Sequence, residues 1–279
     1  MTADTTDYIF HSPSEQGRQQ VDHLTTVFDP ITTDFLEHLG PWSGARCLEL
    51  GAGSGSIATW LAGRVGPHGQ VVAVDKDTEQ VDVPAQVDVY RHDIREGLPA
   101  DGPFDLIHAR LLLIHLPDRL RILHELVDAL SPGGWLVVGD SPDRPQEVLA
   151  APGAADAELA DRLVHTALIC AEEAGLSLDW AYEIEAQLAA AGLEDIRGSE
   201  YSPMMRGGDP CALLVSTYVA QMADRLAGVG ITGAEIDRFH ALMRDPEFRA
   251  WPHLRMVTTA GRKPADRPIG PVPSTTNHN

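Results

Sequence analysis

Leu48-Glu49-Leu50-Gly51-Ala52-Gly53-Ser54-Gly55 joins an apolar run to a helical pattern through a loop almost without side chains. Three glycines at alternate positions let the backbone turn tightly and let a ligand approach the main chain where a Cβ would block it. The residues before them, Ala45-Arg46-Cys47-Leu48-Glu49-Leu50, read as a short strand after the Gly40-Pro41-Trp42-Ser43-Gly44 turn. Beyond them Ile57, Ala58, Trp60, Leu61 and Val65 recur at helical spacing. A second strand, Gln70-Val71-Val72-Ala73-Val74, ends in Asp75, and Asp75 follows Gly55 by 20 residues. Strand, glycine loop, helix, strand and acid form the βαβ plan of a nucleoside-binding half-sheet, with the acid placed to bond ribose hydroxyls.

The loop departs from the dinucleotide fingerprint: a third glycine counted from Gly51 is due at position 56, where the chain has Ser56. Glu49, two residues before the first glycine, would repel a phosphate and attract a cation. Adenosine joined to a sulfonium and an ammonium meets that demand. The segment Glu49 to Gly55 resembles the first motif of the class I S-adenosylmethionine-dependent methyltransferases, acid-x-G-x-G-x-G, and the resemblance runs over residues 45–140 in the family's order. Val87-Asp88-Val89-Tyr90-Arg91-His92-Asp93-Ile94 looks like the third strand and its adenine-bonding acid. Phe104-Asp105-Leu106-Ile107-His108-Ala109-Arg110 looks like the fourth strand, followed by Leu111-Leu112-Leu113-Ile114-His115-Leu116-Pro117-Asp118. Leu130-Ser131-Pro132-Gly133-Gly134-Trp135-Leu136-Val137-Val138-Gly139-Asp140 looks like the proline-glycine turn and fifth strand. Between Asp75 and Val87 the chain is too short for a full crossover helix.

The resemblance implies an α/β fold: a Rossmann-like, seven-stranded, mostly parallel sheet with N-terminal helices and a helical cover inserted before the last strand. The cofactor it implies is S-adenosyl-L-methionine, leaving S-adenosyl-L-homocysteine as product. Glu49, Gly51, Ala52, Gly53 and Gly55 would hold the methionine part. Asp75 would take the ribose and Asp93 the adenine, with Lys76, His92, Ile94, Ala109 and Arg110 as further cofactor-binding residues. His115, His11 and Tyr8, with Arg110 for positioning, are the catalytic candidates, although His115 packed beside the methionine chain is an equal alternative. His108, on the strand itself, reads as a hydrogen-bonded core residue. No metal is expected: Asp140 and Asp143 form the one local acid pair, in a proline-containing turn, and the histidines lack zinc spacing.

At 279 residues the chain can bury a substantial core, and 43% apolar with 22% charged residues is an ordinary globular composition. Its formal net charge of −20 opposes nucleic acid, whose binding rests on Lys and Arg neutralising phosphates. A small-molecule acceptor follows, with neither nucleic acid nor membrane as partner, and a homodimer stays open. No apolar run reaches the roughly 18 residues of a transmembrane helix. The acidic start Met1-Thr2-Ala3-Asp4 is no signal peptide, and Cys47, Cys170 and Cys211 are scattered, so a cytoplasmic location is expected. Abundant Ala, Gly and Pro with two lysines are associated with GC-rich bacterial genomes and secondary metabolism.

Residues 1–40 read as an N-terminal helical segment or lid, as two helices interrupted at Pro30 with Ser14 as N-cap. Residues 41–204 and 251–262 read as the methyltransferase core, 205–250 as the helical cover with two helical patterns over 209–249, and 263–279 as a disordered tail. The stretch 141–153 reads as a loop, 155–174 and 182–191 as helices, 193–201 as the sixth strand and 253–260 as the last. Trp42, Tyr201, Met204, Met205, Tyr218 and Phe239 could line an acceptor pocket, slightly favouring an aromatic or heteroaromatic acceptor. The alternative is a protein that keeps this cofactor fold for binding or for a non-methylating reaction. A nicotinamide-dependent oxidoreductase is disfavoured by Ser56 and Glu49.

Overall fold

A computed structural model describes residues 15–265. Helix α1 (Glu15–Leu39) leads into β1 (Arg46–Leu50), α2 (Ser56–Val65), β2 (Gln70–Asp75), β3 (Val87–Arg91) and β4 (Phe104–Arg110). Then come α3 (Arg119–Asp128), β5 (Leu130–Asp140), β6 (Glu147–Ala150), α4 (Ala154–Glu173), α5 (Trp180–Ala190) and β7 (Glu194–Tyr201). The chain continues through β8 (Met205–Arg206), α6 (Pro210–Gln221), α7 (Ala223–Gly228), α8 (Gly233–Leu242), β9 (Arg249–Trp251) and β10 (Met256–Arg262).

The main sheet has seven strands in the order β3-β2-β1-β4-β5-β10-β7. Strands β1 to β5 run parallel and β10 enters antiparallel between β5 and β7. Both faces of the central strands are covered, which is why they read as near-continuous apolar runs. One face packs Leu48, Leu50, Ile107 and Val138 under α3 and α5; the other packs Cys47, Leu106 and Val137 under α1 and α2. The chain moves from β1 to β2 on one side and returns to β4 on the other, so order reverses beside β1. At that point an open α/β sheet leaves a crevice at its carboxyl edge.

Five expectations are corrected. Pro30 does not split the first helix: α1 is continuous, because Val27, Phe28, Leu36 and Leu39 bury one stripe on both sides of the proline. Thr26, whose carbonyl loses its helical partner at Pro30, lies at an exposed position. The stretch 141–153 contains β6, which pairs with β9, itself paired with β8, in a second, three-stranded sheet. The cover holds three helices, since the first pattern breaks at Met222, and α8 starts at a Thr232–Glu235 capping box. The last strand begins at Met256, not at His253. Lys263, assigned to a disordered tail, is fixed: its backbone N–H donates to Gly134 O, and its ammonium to the carbonyls of Val127, Asp128 and Leu130. The proposed Ser14 cap and residues 266–279 lie outside the described residues.

Candidate active site

The glycine loop is fixed to β2 by its own backbone. Gly51 and Ala52 N–H both donate to Val74 O, at 2.9 and 3.2 Å, and Gly55 N–H closes on Ala52 O at 2.7 Å. Gly53 N–H donates to Asp75 Oδ2 at 2.9 Å, while Asp77 N–H takes Oδ1 at 3.0 Å. Asp75 is thus pinned at the tip of β2 with lone pairs still available on both oxygens. Burial raises its pKa, opposed by those two amides. The glycines differ in purpose. A Cβ on Gly53 would meet nothing within 4 Å, whereas one on Gly55 would lie 2.4 Å from Val83 Cγ1. Both have positive φ, +56° and +84°. The short stretch after Asp75 therefore does the packing that a crossover helix would have done: Asp82 N–H donates to Ser54 O at 2.9 Å and Val83 closes over Gly55.

Beside this loop lies a cleft of about 480 Å³, within the usual range for a small-ligand site. Of the expected cofactor residues, Glu49, Gly51, Ala52, Gly53, Asp75, Lys76, His92, Asp93, Ile94 and Arg110 line it, as does His115. Gly55 does not, because it is committed to Val83. Ala109 does not either: it is fully buried in the core under α3 and α5, paired in register with Leu50 and Val138. Asp93 is at the cleft, but Arg95 holds its carboxylate at 2.6 Å and keeps its pKa low, so any ligand there competes with a guanidinium. His92 Nε2 lies 2.9 Å from Gly97 O. Tyr8 and His11 lie outside the described residues.

Glu49 is buried, and its Oε2 lies 2.6 Å from His108 Nδ1 on the neighbouring strand, the two residues being direct partners in register. The other nitrogen, His108 Nε2, is buried without a hydrogen-bond partner among the described residues. Arg110 ties β4 to α1 through Asp29 Oδ1 at 2.7 Å and Thr32 Oγ1 at 2.9 Å. That makes it a positioning residue for α1. His115 sits on the turn after β4, where burial, then the Lys76 and Arg119 charges, pushes its pKa down to about 3. Its imidazole is neutral and a poor proton acceptor.

A second cavity of about 80 Å³ adjoins the cleft, and Leu24, Leu111, His115 and Leu176 line both. Its walls come from α1, α4, α6, the exit of β5 and the lead-in to β10. None of its lining residues is Asp, Glu, Lys or Arg. Of the six expected pocket residues only Tyr218 borders it. Trp42 instead closes α1 by donating its indole N–H to Leu36 O at 2.9 Å. Met205 and Phe239 are fully buried in the core of the cover, Tyr201 packs against that core, and Met204 is exposed. Sequence reasoning missed Leu111, which holds a left-handed φ of +51° at the junction of the two cavities. A bulky side chain in that region is a conformational outlier, and the sequence carries no mark of it. Asp140, at the end of β5, is fully buried; burial pushes its pKa up to about 8 against the Trp180 indole N–H donated at 3.0 Å.

A mostly parallel sheet with a glycine loop and a strand-end acid at its reversal point is the Rossmann-like arrangement that binds nucleoside cofactors. The chain belongs to the methyltransferase domain family, whose model matches residues 23–197. It is 37% identical over 97 residues to methyltransferase str2 of Strobilurus tenacellus, covering 34% of this chain and 35% of the relative. With methyltransferase GfsG of Streptomyces halstedii it shares 30% over 136 residues, covering 43% and 46%. With the ubiquinone biosynthesis O-methyltransferase of Xylella fastidiosa it shares 36% over 122 residues, covering 40% and 48%. The matched segments thus span between a third and a half of these relatives' lengths. Among solved structures, Haemonchus contortus phosphoethanolamine N-methyltransferase 2 superposes with a TM-score of 0.56 at 16% identity, covering 95% of this chain and 61% of that one. A methyltransferase fold protein of Bacillus halodurans gives 0.52 at 17%, covering 84% and 98%. These likenesses establish the shared fold. Among the described residues no helix is long and apolar enough to cross a membrane.

Proposed function

We propose that the chain transfers the methyl group of S-adenosylmethionine to a small, mainly apolar acceptor, with the cofactor in the cleft and the acceptor entering from the adjoining chamber. The observation that carries this reading is the junction: the cleft beside the glycine loop and the uncharged chamber share Leu24, Leu111, His115 and Leu176. Residues 41–204 and 251–262 would form the cofactor-binding core, and residues 15–40 with 205–250 would help to roof the acceptor.

The cleft fits that cofactor. Gly53 leaves open space where a Cβ would stand, Asp75 keeps lone pairs for a ribose diol, and Glu49 places an acid where an ammonium would lie. When bound, S-adenosylmethionine supplies a methyl group already activated by its sulfonium. The protein's task is alignment, which is worth roughly 7 to 11 kcal/mol in favourable intramolecular reactions. Arg110 contributes by holding α1, which carries Leu24, over the junction. Leu111 and His115 form its floor as neutral walls that exclude water. The net charge of −20 repels nucleic acid, and the uncharged chamber disfavours phosphorylated or cationic acceptors. An aromatic or heteroaromatic metabolite would meet one aromatic wall there, Tyr218.

The test is transfer of label from methyl-labelled S-adenosylmethionine into the small-molecule fraction of a host-cell extract. Label in neutral, organic-soluble products is expected. Label in macromolecules alone, or binding of the cofactor without transfer, would overturn the reading.

A further inference from the structure

Two polar residues that methyl transfer itself does not require, Ser141 and His253, line the chamber. Ser141 follows the last residue of β5, and His253 precedes β10; register pairs Val257 with Asp140, so both residues emerge at the same edge of the sheet. Both line the chamber. Ser141 is buried, and His253 Nδ1 is sealed from solvent without a hydrogen-bond partner among the described residues. The remaining surroundings are apolar or already satisfied. Val164, Ala167, Leu168 and Val215 are hydrocarbon, and across the chamber Tyr218 shares a hydrogen bond with Gln20, whose oxygen also accepts from Gln221. An unsatisfied buried polar group is costly, and a ligand that supplies the missing partner recovers that cost.

We infer that Ser141 and His253 form the specificity-determining corner of the acceptor chamber, and that the acceptor is a neutral, mainly apolar molecule that docks a hydroxyl there. This rests on the reading of the chamber as the acceptor site. A hydroxyl both donates and accepts, as do a serine hydroxyl and a neutral imidazole. Burial, then the Arg255 charge, holds His253 down at about 4, so the imidazole is neutral at ordinary pH. With no cation among the lining residues, a carboxylate or phosphate would be buried uncompensated.

The test compares phenol with toluene, which differ by a hydroxyl in place of a methyl, titrated by ligand-observed NMR into the full chain. Titrations are run with and without saturating S-adenosylhomocysteine, so a failure of the cofactor reading leaves the chamber result readable. Ser141→Ala and His253→Leu are each expected to lower the phenol-to-toluene affinity ratio about tenfold, the worth of one buried hydrogen bond, while toluene binding is kept. Two variants from different segments guard against one that fails to fold. A ratio that falls less than about threefold in both, or no phenol binding to the unaltered chain, overturns the inference.

Discussion

The two cavities meet at Leu111 and His115 yet are built by opposite means. The cofactor cleft is made of consecutive backbone: one strand end, one glycine loop and the tip of the next strand, bonded to each other by main-chain groups. The uncharged chamber, the proposed acceptor site, is made of side chains from α1, α4, α6 and the segments flanking β5 and β10, which meet only after the chain has folded. The first ties most of its positions to a main-chain role, while the walls of the second are single side chains from separate elements.

The largest effect that would break this contrast is at Glu49. Glu49→Ala leaves His108 buried with neither nitrogen partnered, and removal of one member of a buried pair typically costs about 3 to 5 kcal/mol. Denaturant unfolding should register that loss together with weakened S-adenosylhomocysteine binding; unchanged stability would mean that the pair is not structural. Next come the glycines. Gly55→Ala should cost about 2 to 4 kcal/mol, combining left-handed backbone strain with overpacking on Val83. Gly53→Ala should cost only the strain, about 1 to 2 kcal/mol, but weaken cofactor binding more than Gly55→Ala does at equal folded fraction. Equal effects on binding would remove the distinction between a packing glycine and a ligand-facing one.

Arg110→Ala should release α1 at a cost of about 1 to 3 kcal/mol and lower kcat more than it alters cofactor affinity, because α1 roofs the junction. A pH-dependent effect sharpens the account of Asp140. Its pKa is raised from 3.8 to about 8, so between those values the folded chain retains a proton that the unfolded chain releases. Its contribution is therefore greatest below pH 3.8 and is lost as pH rises towards about 8. Asp140→Asn, which can still accept from Trp180, should match the unaltered chain in acid and exceed it in Tm above about pH 8. A thermal scan across that range decides it; an Asn variant that is less stable at high pH would contradict the buried neutral acid.

What was legible in the sequence follows the same division. Glu49, Gly51, Gly53 and Asp75 could be placed at the loop and strand end because a tight loop and a strand-end acid impose residue types at fixed spacing, and the succession of strands β1 to β5 along the chain was read from the same run. The helical cover and the last strand were also foreseen, with shifted limits. Gly55 shows a limit of that reading: the motif assigns it to the ligand, but its missing Cβ is needed by Val83, a contact that only tertiary packing reveals. The chamber was illegible for a related reason. Val164, Val215 and Leu254 read as ordinary apolar residues, and aromatic content pointed to Trp42 and Phe239, which the fold spends on the core. The β6–β9–β8 sheet was missed because its strands are two to four residues long and lie far apart in the chain.

A crystal structure with S-adenosylhomocysteine tests the central claim most directly. The account predicts the ribose on Asp75, the amino acid end beside Glu49 and Gly53, and the sulfur at the Leu111–His115 junction facing the chamber. A sulfur directed away from that junction, or a ligand bound outside the cleft, would contradict it.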